Sequence, residues 1–324
     1  MIGDVNMVEV PVPKEKWSGR IGTVALGKSK EQGGTRSLPL QVGGEAGMPF
    51  LSYEAQMPNR PLIAGEVLDR PGELPLQVAN ELGDAVQDPA AWARKWVQDF
   101  AVDLVCLKLH STSPEEENRT PEEAASIVKA VLEAVDVPVV VYGCGHEEKD
   151  AKVMEAVGNL AAKERILLGH AEESAYKSLS AVAMANDHDI ISFSNLDINL
   201  AKQINILLTD FGVRKDQIIT DPLMASLGMG LEYTYSVMER IRIAALMGDG
   251  MLQVPLVCDT SVAWKSKEAI EEIEGHDGLR DRAILWEATT GLAALLAGAD
   301  VLIVRSPAAA RILKDSIDEL SGGK

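Results

Sequence analysis

From Pro61 onward the sequence repeats one alternation: a short apolar run, then a longer segment with apolar residues every three or four positions. The runs occupy residues 62–68, 103–109, 137–142, 166–169, 190–193, 218–220, 254–258 and 301–304. Several are nearly continuous in Val, Ile and Leu, the pattern of strands covered on both faces. Parallel strands cannot be joined by a tight turn, so each needs a crossover, usually a helix. Helical patterns fill the gaps at residues 89–100, 121–135, 150–163, 176–186, 198–211, 232–247 and 284–296, with a last one from Ser306-Pro307. Eight strands alternating with eight helices predict an α/β fold, a (β/α)8 TIM barrel, over an open doubly wound sheet.

The segment 121–135 is the best specified helix. Ala124, Ile127, Val128, Val131 and Val135 share one face, Thr120 stands at the N-cap, Pro121 follows it, and Glu123 is placed to close a capping box. The first sixty residues break the rhythm. Runs at 23–26, 38–42 and 49–53 are separated by Gly33-Gly34 and Gly43-Gly44, which reads as β-hairpins appended to the barrel. The expected organisation is therefore an N-terminal β-hairpin extension over residues 1–60 and the TIM barrel over 61–324. A length of 324 residues suits one barrel plus an appendage, since such barrels run to about 250 residues.

Composition narrows the class. Apolar residues make up 46% but aromatics only 4%, so aliphatic side chains must fill the core. A net charge of -18 argues against nucleic acid, whose phosphates need a basic surface. No apolar run approaches the roughly 20 residues of a membrane span, and no basic-then-apolar leader opens the chain. The expected location is cytoplasmic, with no membrane partner. Cys106, Cys144 and Cys258 are far apart, each in or just after an apolar run, which suits small hydrophobes better than a disulfide or cluster framework.

Sites of such barrels are built from the loops that follow the strands. These loops carry Asp69 and Arg70, residues 110–113, 143–146, 170–173, 194–197, 221–230 and 259–264, and Arg305 with Ser306. His110, His146 and His170 follow three successive strands and could converge on a metal. Their spacing matches no metal-binding pattern, so they read as hydrogen-bonding loop residues and no metal ligand is assigned. Glu172, Glu173, Asp221 and Asp259 could supply an acid and a base, but no nucleophile accompanies them. The most informative loop runs from Asp221 to Gly230. A solvent-facing connection carrying Leu223, Met224, Leu227 and Met229 calls for an apolar cover, and its glycines allow close backbone approach. Adaptable methionines suit a broad, flat cofactor or a partner protein, whereas a loop packed on its own barrel is the plainer reading. Trp264 is placed to add an amphipathic contact to the same rim. Gly143-Cys144-Gly145 is too short for a dinucleotide fingerprint.

Several ordered motifs carry a resemblance. Lys28, Gly33-Gly34-Thr35-Arg36-Ser37, Gly43-Gly44 and Pro49-Phe50 resemble the small subunit of the corrinoid iron-sulfur protein. So do Leu167-Leu168-Gly169 with Ala171-Glu172, Tyr176-Lys177-Ser178-Leu179, and Leu196-Asp197-Ile198-Asn199 with Lys202-Gln203. Asp221-Pro222 with Gly228, and Met238-Glu239-Arg240-Ile241-Arg242, complete the set. Archaeal members of that family are delta subunits of the acetyl-CoA decarbonylase/synthase complex, with a tetrahydropterin methyl donor. The resemblance implies a barrel subunit, a methyl carrier rather than a stand-alone catalyst. It would hold a cobalamin-type corrinoid jointly with a large subunit that bears the iron-sulfur cluster.

The implied complex takes a methyl group from methyltetrahydrofolate, through a corrinoid methyltransferase, to acetyl-CoA synthase. That is carbon fixation by the reductive acetyl-CoA (Wood-Ljungdahl) pathway of anaerobes. No Asp-x-His-x-x-Gly corrinoid motif occurs, so no histidine here is expected to ligate cobalt. Cofactor-binding candidates follow from strand-end position alone: His110, Gly143, Gly145, His170, Ala171, Glu172, Asn195, Asp221, Leu227, Gly228, Met229, Thr260 and Trp264, with no catalytic residue. The alternative is a pterin-dependent methyltransferase barrel acting itself on methyltetrahydrofolate, with Asn195 and Asp221 on the pterin ring. A structural adaptor without cofactor contacts is a third class.

Overall fold

The computed structural model describes residues 11–322, apart from Pro71, Glu73 and residues 273–277. Each apolar run becomes a strand: β3 (Leu62–Leu68), β4 (Leu104–Lys108), β5 (Val139–Tyr142), β6 (Leu167–Ala171), β7 (Asp189–Phe193), β8 (Ile218–Asp221), β9 (Val257–Asp259) and β10 (Val301–Val304). They pair in parallel in the order β8-β7-β6-β5-β4-β3-β10-β9. A parallel bridge between Thr220 and Leu256 joins the two ends, with the Thr220 amide donating to the Pro255 carbonyl at 2.9 Å, so the sheet closes. The result is the (β/α)8 barrel that the alternation predicts.

Nine helices of the described chain follow β3 onward in the gaps: α1 (Leu76–Leu82), α2 (Pro89–Phe100), α3 (Pro121–Ala134), α4 (Glu147–Leu160), α5 (Tyr176–Asn186), α6 (Ile198–Phe211), α7 (Leu231–Leu246), α8 (Lys267–Ile270) and α9 (Leu279–Ala297), and α10 (Pro307–Leu320) covers the last strand. Local chemistry sets their starts. Thr120 Oγ1 accepts the Glu123 amide at 3.2 Å while Glu123 Oε2 accepts the Thr120 amide at 2.7 Å, the capping box expected for α3. Asp88, Asp197 and Ser306 cap α2, α6 and α10. Helix α4 starts earlier than the reading from Asp150, because His146 rather than Asp150 is its N-cap. Helix α1 has no counterpart in the sequence reading.

Strand alternation divides the core into two. Outward residues such as Ile63, Val105, Val141 and Leu302 pack with the helices. Inward residues such as Ala64, Cys106, Val140, Ile219 and Ile303 form a second cluster, and Val24, Leu26 and Val42 belong to it. Those three come from an antiparallel hairpin, β1 (Thr23–Leu26) and β2 (Leu40–Gly43). The appended hairpin therefore plugs the amino-terminal mouth of the barrel, and its apolar side replaces water there.

Polar clamps fix the plug. Arg36, 1% exposed, donates to the carbonyls of Leu132, Val135 and Val137 and pairs with Glu164 at 3.0 Å. Arg242 of α7 lies between Glu45 and Asp300 at 3.2 and 3.0 Å. The third run, 49–53, forms turns instead of a strand. No partner strand reaches it, and Phe50 takes a positive φ of 58° that β-sheet excludes.

Candidate functional site

Toward the carboxyl ends, several inward strand positions carry charge, and they make the floor of a cavity there. Glu66, fully buried on β3, faces Lys108 on β4 at 2.6 Å. Lys108 Nζ also donates to Asp259 at 2.6 Å and to Ser261 at 3.0 Å, while Arg305 grips both oxygens of Glu66. Burial alone pushes the Glu66 carboxyl up, but Arg305 and Lys108 outweigh it and hold it well below the usual carboxylate range. Burial likewise pulls the Lys108 ammonium down, and Asp259 and Glu66 outweigh that, so it stays charged. The floor is a fixed, balanced set of charges.

One wall is aromatic. His170 stacks on Phe193 with centroids 4.6 Å apart and takes the edge of Tyr142 at 4.6 Å. Its Nε2 lies 3.2 Å from Asp221 Oδ2, which also accepts the Tyr142 hydroxyl at 3.2 Å, while Asp221 Oδ1 accepts the Leu223 amide at 2.9 Å. Burial and the Asp221 charge push the Tyr142 phenol well up, so it remains a donor. The loop after β5 adjoins it. Asp150 accepts the amides of Cys144 and Gly145 at 2.9 and 2.8 Å. A Cβ on Gly143 would sit 2.3 Å from the Asp150 carboxyl carbon, so only glycine allows this approach. Burial pushes the Cys144 thiol up, which disfavours a nucleophilic thiolate.

The enclosed volume is about 440 Å³, lined by these groups and by Met154, Leu179, Leu223, Met224 and Val262. Among the described residues no group of three or more His, Cys, Asp and Glu is arranged to hold a metal ion. The charged groups of the floor, Glu66, Lys108, Asp259 and Arg305, are engaged with one another.

The structure brings six of the sequence candidates into this cavity: His110, Gly143, Gly145, His170, Glu172 and Asp221. Burial, and then Lys108, lower the pKa of the His110 imidazole, which favours its neutral form. Ala171 is buried in the wall. Asn195, with φ 43°, lines an adjoining depression that shares Glu172 and Phe193 with the cavity. The 221–230 loop divides: Met224 is packed into the core, Leu227 is half-buried with its carbonyl accepting the Trp286 indole at 2.9 Å, and Gly228 and Met229 are exposed, Met229 at 56%.

Thr260 and Trp264 are sealed behind the cavity around Glu287. The Glu287 carboxylate accepts the Trp264 indole at 2.7 Å and the amides of Arg305 and Ser306 at 2.7 and 3.0 Å. Reasoning from the sequence missed Glu66, Lys108, Tyr142, Phe193 and Glu287. A charge inside each of the apolar runs 62–68 and 103–109 is the signal that could have found the first two.

Comparison with known proteins is consistent along nearly the whole chain. The profile of the CO dehydrogenase/acetyl-CoA synthase delta subunit family matches residues 23–315. The acetyl-CoA decarbonylase/synthase complex subunit delta of Archaeoglobus fulgidus is 38% identical over 95% of this chain and 70% of its own length. That of Methanosarcina mazei is 36% identical over 95% and 72%, and that of Methanocaldococcus jannaschii 33% over 97% and 77%. Among solved structures, dihydropteroate synthase from Coxiella burnetii aligns with a TM-score of 0.55 at 12% identity, covering 93% of this chain and all of that one. The enzyme from Xanthomonas albilineans gives 0.53 at 15%, covering 81% and 93%. At such identities the likeness is one of fold.

Proposed function

The chain belongs to the CO dehydrogenase/acetyl-CoA synthase delta subunit family, and from that membership we propose that it is the barrel subunit of a heterodimeric corrinoid iron-sulfur protein. In this reading it holds one side of a cobalamin-type corrinoid, and a larger companion chain covers the other side and carries the iron-sulfur cluster. The complex accepts a methyl group from methyltetrahydrofolate through a methyltransferase and passes it to acetyl-CoA synthase, in the cytoplasm. Residues 1–60 serve as the extension and 61–324 as the barrel, of which 1–10, 71, 73, 273–277 and 323–324 lie outside the described residues. No helix among the described residues is long and apolar enough to cross a membrane.

The observation that carries the reading is the strand-end cavity itself, with its charged floor, aromatic wall and apolar lining. A corrinoid presents apolar faces and an edge of amide-bearing arms. Leu223, Met224, Met154 and Val262 would lie against such a face, and His110, His170, Ser178 and Ser261 would meet polar arms. Pockets for drug-sized ligands run to about 300–1,000 Å³. A cavity of about 440 Å³ receives only part of so large a ligand, which leaves the rest for a companion chain to cover. When bound, the corrinoid supplies the cobalt that takes and gives up the methyl group. The contribution of this chain is enclosure and orientation.

The pterin-dependent methyltransferase alternative finds less support. Both Asp221 oxygens are engaged by Tyr142, His170 and the Leu223 amide. The test is to copurify the full chain with its companion and record the visible spectrum. A corrinoid spectrum with the two chains in equal amounts is expected, and Met229→Asp should weaken association while leaving the barrel folded, since a charge would be buried under the cover. Turnover of methyltetrahydrofolate on free cobalamin by the isolated chain, with no corrinoid in the complex, would refute the reading.

A further inference from the structure

Most polar groups in the cavity are already spent on one another. Lys108 has three N–H groups and three acceptors, Glu66, Asp259 and Ser261. Asp221 accepts from three donors, Asp150 holds the amides of Cys144 and Gly145, and the Tyr142 hydroxyl donates to Asp221. His110 lines the cavity too, but no hydrogen bond among the described residues sets its tautomer, and the Glu147 and Glu172 carboxylates in the lining are exposed to solvent and held by no aromatic contact.

His170 differs. A carboxylate can only accept, so the Asp221 contact requires that Nε2 carry the hydrogen, and in the neutral imidazole Nδ1 is left as a bare lone pair. Nδ1 has no hydrogen-bond partner among the described residues, nor is it one of their sealed, unpartnered polar atoms, so ligands can reach it. The ring is held from three directions, by the Phe193 stack, the Tyr142 edge and the Asp221 oxygen. Such restraint means that little further ordering is needed when a hydrogen bond forms.

We propose that His170 is a pre-oriented hydrogen-bond acceptor of the cavity wall, taking an N–H from a carboxamide arm on the ligand's edge, with Asp221 as the positioning residue that sets its tautomer. This rests on the corrinoid reading, which supplies a ligand rich in carboxamides. It adds a specificity rule: of two corrins alike in their faces, the one whose arms carry N–H is preferred, and part of that preference resides at His170.

The test uses the full chain in its copurified complex, stripped of endogenous ligand. It measures the dissociation constants of dicyanocobinamide, which has carboxamide arms, and of cobyrinic acid heptamethyl ester, which has no N–H on its arms. His170→Phe should lower the preference for the amide over the ester about tenfold, the loss of one hydrogen bond worth about 1.4 kcal/mol. His170→Gln keeps an acceptor and should recover part of it. A nitrogen-15 spectrum of the histidines should show the Nε2–H tautomer for His170 in the parent chain and its loss in Asp221→Asn, a readout independent of ligand. An unchanged amide-to-ester preference in a folded His170→Phe protein, or an Nδ1–H tautomer in the parent, would overturn the inference while the corrinoid reading stands. Binding of neither probe by the parent complex would overturn both.

Discussion

Replacing Lys108 with Met tests whether the cavity floor is a buried ion cluster. The ammonium faces two carboxylates at 2.6 Å each. At an effective dielectric of about 20, each attraction is on the order of 6 kcal/mol, most of it offset by the several kcal/mol needed to strip water from each ion. What a single deletion exposes is the uncompensated remainder. Glu66 keeps Arg305, but Asp259 loses its direct cation, and breaking buried pairs of this kind costs about 3–5 kcal/mol. Methionine keeps the apolar stem, so little of that loss is a cavity effect.

Against a total stability of about 5–15 kcal/mol the protein should remain folded, with a Tm lower by roughly 6–20 °C. Urea unfolding followed by tryptophan fluorescence at pH 7 measures the change. Lys129→Met is the control, since its pair with Glu133 is long at 3.8 Å and exposed, and no measurable change is expected. Adding Asp259→Asn to Lys108→Met should restore part of the loss by removing the stranded charge. A loss below about 1 kcal/mol, or no recovery in the double variant, would mean that water already hydrates the floor and that the cluster reasoning is wrong.

Gly65→Ala should destabilise by about 3 kcal/mol or more, because its Cβ would lie 2.3 Å from the fully buried Trp96 ring; denaturation of a normally soluble variant within 1 kcal/mol of the parent would contradict this. Arg36→Met strands three carbonyls and Glu164, so it should cost about 3 kcal/mol and speed amide exchange in β1 and β2 ahead of the barrel strands; uniform exchange would mean the hairpin is not a separately latched plug. Burial raises Glu287 to about 7, and burial with the neighbouring Asp300 charge raises Glu45 to about 8. Each holds a proton in the folded chain that the unfolded chain releases near its ordinary value of 4.5, so stability should fall as pH rises from about 5 to 8, on the order of 3 kcal/mol for Glu287. Urea midpoints at pH 5.5 and 8.5 check the sign, and Glu287→Gln and Glu45→Gln should flatten the slope.

The barrel was legible because its strands are buried on both faces and its helices on one, and both conditions write themselves into residue periodicity. The eight runs all became strands, although 254–258 shortened to Val257–Asp259, and the capping box at Thr120 and Glu123 formed as read. The run at 49–53 misled because apolar content alone does not provide a pairing partner. The site was only partly legible. His110, His170 and Asp221 come just after the apolar runs, where a barrel's chemistry is sought, although β6 and β8 extend to include the last two; Glu66, Lys108, Tyr142 and Phe193 lie inside the runs, and a search that begins after each run passes over them.

Periodicity, caps and glycine placement determined the eightfold alternation and its closure, because these depend on neighbours within a few residues along the chain. Which polar side chains meet was decided only by closure. Glu66 is 239 positions from Arg305, and Lys108 is 151 from Asp259. No local pattern encodes such pairs, since their energy exists only once the barrel excludes water and brings the strand ends within hydrogen-bond reach.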